Sequence, residues 1–478
     1  VFSIFKLKGT CHPSISLTER QLEHRGGRST LQKSDLSHPA LFHGLSSNLT
    51  NQHFSILLGA NEEVGAMLLE HSDKKLNAPT RATGEATLRA FAPRMGKRYT
   101  NGRNYDRGAS NHRDVSMLSP YLRRRLVLEQ DAIATAVIEH GVEGADKFIQ
   151  EIIWRAYFKG WMERRPVVWD QYREGLVRDL SVLDRDRGLR RRVEAAEAGQ
   201  SGLNYFDSWA EELVETGYLH NHARMWFASI WIFTLELPWR LGADFFFRHL
   251  LDGDAASNTL GWRWVAGLHT RGKPYHAQGW NIAKFTNNRF NPRPGELAEV
   301  VAGLENEEPE GLPSVIPLRN VQAPDPNRPT VLLVTEEDCR PEDFNLDSLN
   351  LVGCATLAAS HLRSPQPVAQ LIEEFEQHAL RDTALRTGLE ATEFRAGVPS
   401  DLARWASRAG ATQIATPYTP TGPLRDWMLE AKRDLDDAGI NLVEWRRDWD
   451  GAIWPHATAG FFKVRKQIPA ILQDIGLT

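Results

Sequence analysis

The hydrophobic period of this chain changes once, near residue 300. From about Thr80 to 290, apolar residues recur at helical spacing in PTRATGEATLRAFAPRM, SPYLRRRLVLEQDAIATAVIEHG, GADKFIQEIIWRAYFKGWMERR, DSWAEELVETGYLHNHARMWFASIWIFTLEL and WRLGADFFFRHLL. Strand-like alternation is almost missing there. After residue 330, short runs rich in β-branched residues (TVLLVTE, LNLVGCATLAA, LEATEFRAG, TQIATPY, INLVEWRR) alternate with helical runs (PVAQLIEEFEQHALRD, SDLARWASRAG, PLRDWMLEAKRDLDDAG). A single bundle or a single sandwich cannot carry both textures. The pattern predicts a multidomain α and α/β protein: an all-α domain over 80–292, then a doubly wound parallel α/β domain over 330–478. The acidic, Pro- and Gly-rich stretch 293–329 reads as a linker. Residues 1–79 read as a poorly organised N-terminal extension, with SILLGANEEVGAMLLEH as its one helix candidate.

Bulk properties narrow the function. At 478 residues the chain is too long for one small core. Its net charge of −4 gives no global signal for nucleic acid, so phosphate binding needs a local patch. Mean hydropathy is −0.42, and no apolar run is long enough to span a bilayer. No signal peptide is legible. Cys11, Cys339 and Cys354 form no CxxC pair, which disfavours a cysteine-built zinc or iron–sulfur site. A cytoplasmic monomer is the expectation. The 15 tryptophans make stacking or electron-transfer roles worth testing.

Four stretches in the helical part carry polar groups that a core does not need. In VSMLSPYLRRR, Ser116 and Ser119 flank a helix start with Pro120 just inside it. Such an end is either a capped helix or a phosphate cradle. In FIQEIIWRAYFKGW, Glu151, Trp154, Arg155 and Phe158 share one helix face, where Glu151 and Arg155 are also placed to form an exposed i,i+4 pair. In TGYLHNHARMW, His220 and His222 are too close in sequence for a helical zinc pair. In LDGDAASNTLGWRW, Asp252 and Asp254 follow an apolar helix, where the dipole disfavours carboxylates. They need a cation, a ribose or a protonated ring.

Taken in order, SxLSPYL, ExxWRxxF, HNxxRM, DGDxxSN, GWxW and a closing RFNP resemble the FAD-binding helical domain of the cryptochrome/DNA photolyase family. The resemblance covers about 80–292. It implies that Tyr99, Ser116, Met117, Leu118 and Ser119 hold the ribityl-diphosphate arm, and that Arg155 and Asn221 complete a U-shaped FAD pocket. Asp252 would pair with Arg224 beside the isoalloxazine, with Gly253 and Asp254 near its polar edge and Asn258 by N5. Trp262 and Trp239 would pass electrons. Glu151, Trp154, Met225 and Trp264 would line a slot for a pyrimidine dimer flipped out of UV-damaged DNA, with Asn258 tuning the flavin. Glu151, Trp154, His222 and Trp264 would meet DNA, with Arg124, Arg125, Lys159, Arg263 and Arg271 as a basic rim.

The chain departs from the family pattern in several places. Val115 replaces a usual threonine, His222 a common arginine at a DNA contact, and Phe148 a frequent tryptophan. No tryptophan stands at the distal relay position before residue 205, leaving Trp231 and Trp226 as unranked substitutes. The stretch after GWRW is longer than usual. The α/β part follows the helical part instead of preceding it, as in a circular permutant, and a second, antenna chromophore of unknown identity goes with it. The resemblance implies a light-driven lyase that splits pyrimidine dimers. A blue-light photoreceptor that binds FAD without repair is the alternative.

Overall fold

The structure, a computed structural model, describes residues 78–477. The helix expected over 55–71 lies outside them. Helices fill the first part: α1 Arg81–Phe91, α2 Lys97–Gly102, α3 Ser119–Arg123, α4 Glu129–Gly144, α5 Asp146–Glu163, α6 Val167–Leu183, α7 Arg187–Glu197, α8 Asn204–Thr216, α9 Asn221–Ser229, α10 Trp239–His249, α11 Ala255–Val265 and α12 Gly279–Phe285. Five strands follow, β1 Thr330–Thr335, β2 Leu351–Ala358, β3 Ala391–Arg395, β4 Gln413–Pro417 and β5 Asn441–Trp445. Between and after them lie α13 Gln370–Thr387, α14 Ser400–Arg408, α15 Pro423–Asp437, α16 Asp448–Ile453, α17 Phe461–Arg465 and α18 Ile468–Asp474.

The strands form one parallel sheet in the order β3-β2-β1-β4-β5. Central β1 is buried along its whole length, whereas edge strand β3 is mostly exposed. The order reverses between β1 and β4, so their carboxyl ends flank a crevice of the kind that collects ligands in open α/β sheets. Here the crevice faces the helical part. A small pocket lies there, lined by Glu336 and Glu337 after β1, Gly422 before α15, and Lys159 and Glu163 on α5.

Three departures from the sequence expectations shape the interior. The single helix expected over 119–141 is broken between α3 and α4, with Arg125 left-handed at φ 54°. Consecutive helical residues point about 100° apart, so an unbroken helix could not turn Arg123, Arg124 and Arg125 into one seam; the break does. The helix expected over 207–237 splits at Gly217, whose φ of 66° ends α8 in a left-handed cap that glycine adopts without penalty. The acidic stretch 293–329 has only one short 3₁₀ turn but is tied down: Arg263 pairs with Glu308, Ile316 N–H donates to Arg164 (3.0 Å) and Glu444 N–H to Gln322 (2.9 Å).

Helices α10 and α11 approach closely because Gly242 has no side chain. A Cβ there would collide with the Trp262 ring. Trp262 is fully buried, with Phe246 at 5.1 Å and Trp231 at 6.3 Å between ring centroids. Trp264, two residues on and thus on the opposite helix face, meets Tyr275 at 5.4 Å.

Candidate active site

The turn 250–254 joins α10 to α11. Helix α10 ends at His249, so Asp252 and Asp254 do not sit on its last turn as the sequence suggested. Asp254 is the N-cap of α11 and accepts the Ser257 N–H at 2.8 Å. A carboxylate there is favoured by the helix dipole instead of opposed by it.

Each aspartate has its own buried arginine. Both nitrogens of the Arg224 fork meet Asp252 at 3.1 Å, and Arg224 Nε donates to Leu219 O at 2.7 Å. Burial alone would raise the Asp252 pKa, but Arg224 and the Ser119 hydroxyl hold it well below the ordinary carboxylate range. Arg155 Nη2 lies 3.2 Å from Asp254. Against the same cost of burial, Arg155, Lys159 and Arg123 keep Asp254 low. Glu151, one turn before Arg155, does not form the exposed pair with it that the spacing allowed. Glu151 faces Arg103 at 3.7 Å. Arg103 lies in YTNGRNYDRG, a polar stretch without a periodic signal, so the sequence does not mark it. Tyr99 is buried close to this pair, with burial and then the Glu151 charge raising its pKa.

The other expected residues fall as follows. Ser119 opens α3 and does not cap it; Leu118 is the cap residue and Ser116 Oγ accepts the Leu118 N–H at 3.4 Å. Met117 is left-handed at φ 54°. Gly253 O accepts a hydrogen bond from Arg123 Nε–H at 2.9 Å. Asn221 opens α9, and Met225 on the same helix is buried. Trp154 stacks on Phe461 at 3.7 Å. Trp239 has Tyr172 at 6.0 Å. Trp231 lies beside Trp262, whereas Trp226 stacks between Trp209 and His222. That contact ranks Trp231 ahead of Trp226 as a neighbour for Trp262.

The expected basic rim is not a rim. Arg124, Arg125, Lys159 and Arg263 are all buried and face carboxylates: Glu336, Asp450, Glu337 and Glu308 in turn. Only Arg271 is exposed, and it donates to the backbone of Glu308 and Glu305. His222, expected at DNA, is 7% exposed, shares its Nδ1 with Asn104 O at 3.0 Å and is kept neutral by burial, which lowers its pKa to about 4. Charges that pair so completely were invisible in sequence, because their partners lie far away along the chain.

A flavin fits this turn on the chemistry of its unpaired groups. Asn258 Nδ2 donates to Ala243 O at 2.8 Å, while its Oδ1 and the Ser257 hydroxyl are buried without a hydrogen-bond partner. Buried polar atoms are rarely left so. Two carboxylates, two guanidiniums and an amide oxygen suit a ring with N–H groups and carbonyls along one edge. Among the described residues no cluster of His, Cys, Asp and Glu could hold a metal, and no helix is long and apolar enough to cross a membrane.

Beside the site, burial pushes the Glu212 carboxyl up to about 8, helped by the Asp106 charge. His112, 3.6 Å away, is lowered by burial, so the two form a neutral contact at pH 7. A carboxyl whose folded pKa exceeds its unfolded value holds an extra proton when folded, so its contribution falls as pH rises from about 4.5 to about 8. Glu212→Gln removes that slope. Melting curves between pH 5 and 8 should flatten for the variant relative to wild type; parallel curves would show that Glu212 titrates normally.

Residues 148–293 match the FAD binding domain of DNA photolyase. The deoxyribodipyrimidine photo-lyase of Streptomyces griseus is 34% identical over 161 residues, 34% of either chain. That of a Thermus thermophilus strain is 33% identical over 219 residues, 45% of this chain and 49% of the relative. A class III photolyase structure from Agrobacterium tumefaciens aligns over 44% of this chain and 43% of that one at 24% identity and a TM-score of 0.37. The chain thus spans about half the length, or less, of the curated relatives it matches. Over residues 148–293 the chain is thus similar to the FAD binding domain of DNA photolyase, and over about a third to a half of its length to deoxyribodipyrimidine photo-lyases.

Proposed function

We propose that this protein is a light-driven DNA repair enzyme that splits UV-induced pyrimidine dimers. The observation that carries the reading is the spacing on α5. Arg155 grips Asp254 at the flavin turn, and Glu151 and Trp154 stand within one turn of it. One rigid helix therefore ties the cofactor turn to the groups that would meet a flipped base, which is how geometry is held to a fraction of an ångström.

Reduced FAD, when bound, supplies an electron under illumination. The chain does the rest. Arg224–Asp252 and Arg155–Asp254 would hold the ring's polar edge, and Asn258 Oδ1 would take a ring N–H. Tyr99, Ser116, Met117, Leu118, Ser119 and Asn221 would carry the ribityl-diphosphate arm. Glu151, with Arg103 beside it, would hydrogen-bond a base of the dimer. Trp154, Met225 and Trp264 would supply apolar walls that exclude water. Trp262 and Trp239 would return electrons from the protein interior. The α/β region would be an antenna-like domain in permuted order.

The test is direct. Purified protein is reduced and illuminated with DNA carrying cyclobutane dimers or (6-4) products, against a dark control. Light-dependent loss of one lesion is expected, and Glu151→Ala should slow it by about tenfold or more, the worth of one charge-assisted hydrogen bond. A flavin-loaded protein that leaves both lesions intact would sink the repair reading.

The Trp154–Phe461 stack favours a second reading, a photoreceptor that binds FAD without repair. Trp154 is only 7% exposed, and the chain's own C-terminal segment covers it.

A further inference from the structure

The turn 250–254 is held by three arginines, one of them from outside the helical part. Arg363 Nη1 donates to Leu250 O (3.0 Å), Arg124 Nη1 to Leu251 O (2.7 Å) and Arg123 Nε to Gly253 O (2.9 Å). These three arginines come from two regions of the chain, the C-terminal end of α3 with the break that follows it, and the stretch after β2. All three converge on one carboxylate. Glu336, the first residue after β1, meets Arg124 at 2.9 Å, Arg363 at 3.1 Å and Arg123 at 3.3 Å.

We propose that Glu336 is a positioning residue for the flavin turn, setting Asp252 and Asp254 through Arg123, Arg124 and Arg363. The proposal rests on the reading of that turn as the flavin site. Three guanidiniums, each at most 3% exposed, cannot share a dry seam without a counter-charge. Glu336 supplies it. Against the cost of burial, Arg363, Arg123 and Arg124 pull its carboxyl down to about 2, so it stays ionised at every working pH. With the arginines fixed by Glu336, their remaining N–H groups reach the carbonyls of 250, 251 and 253. Those carbonyls have fixed directions, and the side chains of Asp252 and Asp254 are then directed to Arg224 and Arg155. The sheet region is thus part of the cofactor site and not a separable attachment. Outer partners of this kind orient the groups that touch a cofactor.

Asp338 gives the control. It is as deeply buried in the same seam, but its partners are Arg125 and Arg447, neither of which touches the turn. The full-length chain is used throughout, as wild type, Glu336→Gln, Arg363→Gln and Asp338→Asn. The readouts are the FAD dissociation constant, the visible flavin band and the apo melting temperature. Glu336→Gln should weaken FAD by about ten- to hundredfold and shift the flavin band. Arg363→Gln should move both in the same direction by less, and it carries the test if Glu336→Gln does not fold. Asp338→Asn should lower the melting temperature while FAD affinity and spectrum stay at wild type. Folded Glu336→Gln or Arg363→Gln proteins with lower melting temperatures but wild-type FAD affinity and spectrum overturn the proposal. A wild type that takes up no FAD overturns the site reading, and this one with it.

Discussion

Arg224→Ala is expected to cost the apo protein about 3–5 kcal/mol, because it leaves Asp252 buried without its counter-charge. Both residues are 4% exposed. With the guanidinium gone, the largest influence set against the cost of burial on Asp252 is lost, and its pKa rises. The same change removes the donor to Leu219 O, which ties the start of α9 to the turn at Gly217. Urea unfolding of the apo protein measures the loss. The double variant Arg224→Met/Asp252→Asn separates stability from binding. Removing both charges ends the penalty, so it should regain about half or more of the lost stability. It should not regain FAD, since the pair is what the ring edge would meet. A loss of under about 1 kcal/mol in the single variant, or simple additivity in the double, would show that the pair is not a buried, coupled unit. Stability regained together with wild-type FAD affinity would remove Asp252 from the site.

Much of the architecture was readable because it rests on local period. All five strand candidates became strands of one parallel sheet, since β-branched runs bounded by Gly, Pro and Asn have few other outcomes. The motif spacing also put Arg224 with Asp252 through the family resemblance. What was not readable rests on partners distant in sequence. The run Arg123–Arg125 looks like a solvated or DNA-facing patch until Glu336, Asp338 and Asp450 are brought to it. Asp254 looks like an end residue until the next helix is seen to begin there. Helices α6 and α7 are hard to read because WDQYREGLVRDLSVLDRDRGLRRRVEAAEA is so heavily charged that its apolar stripe is thin.

Phe461→Ala should separate the two functional readings. The ring lies 3.7 Å from Trp154, tilted by 29°, and is itself 4% exposed. Tyr157 holds the segment by donating its hydroxyl to Ala459 O at 2.9 Å. Truncating so buried a phenylalanine costs about 3–5 kcal/mol of stability. If Trp154 forms a wall of the base slot, a flipped base and Phe461 compete for its face, because two aromatic rings cannot stack in one place. The variant should therefore bind dimer-containing DNA more tightly, by about tenfold for one base–aromatic stack, with undamaged duplex unaffected. A photoreceptor without a base slot gains nothing from the change: the destabilised variant would bind both DNAs as the wild type does. Its Trp154 would then be core packing between α5 and the C-terminal segment. Titrating damaged and undamaged duplexes into wild type and variant at one salt concentration decides it, since phosphate contacts alone shift with salt and not with lesion.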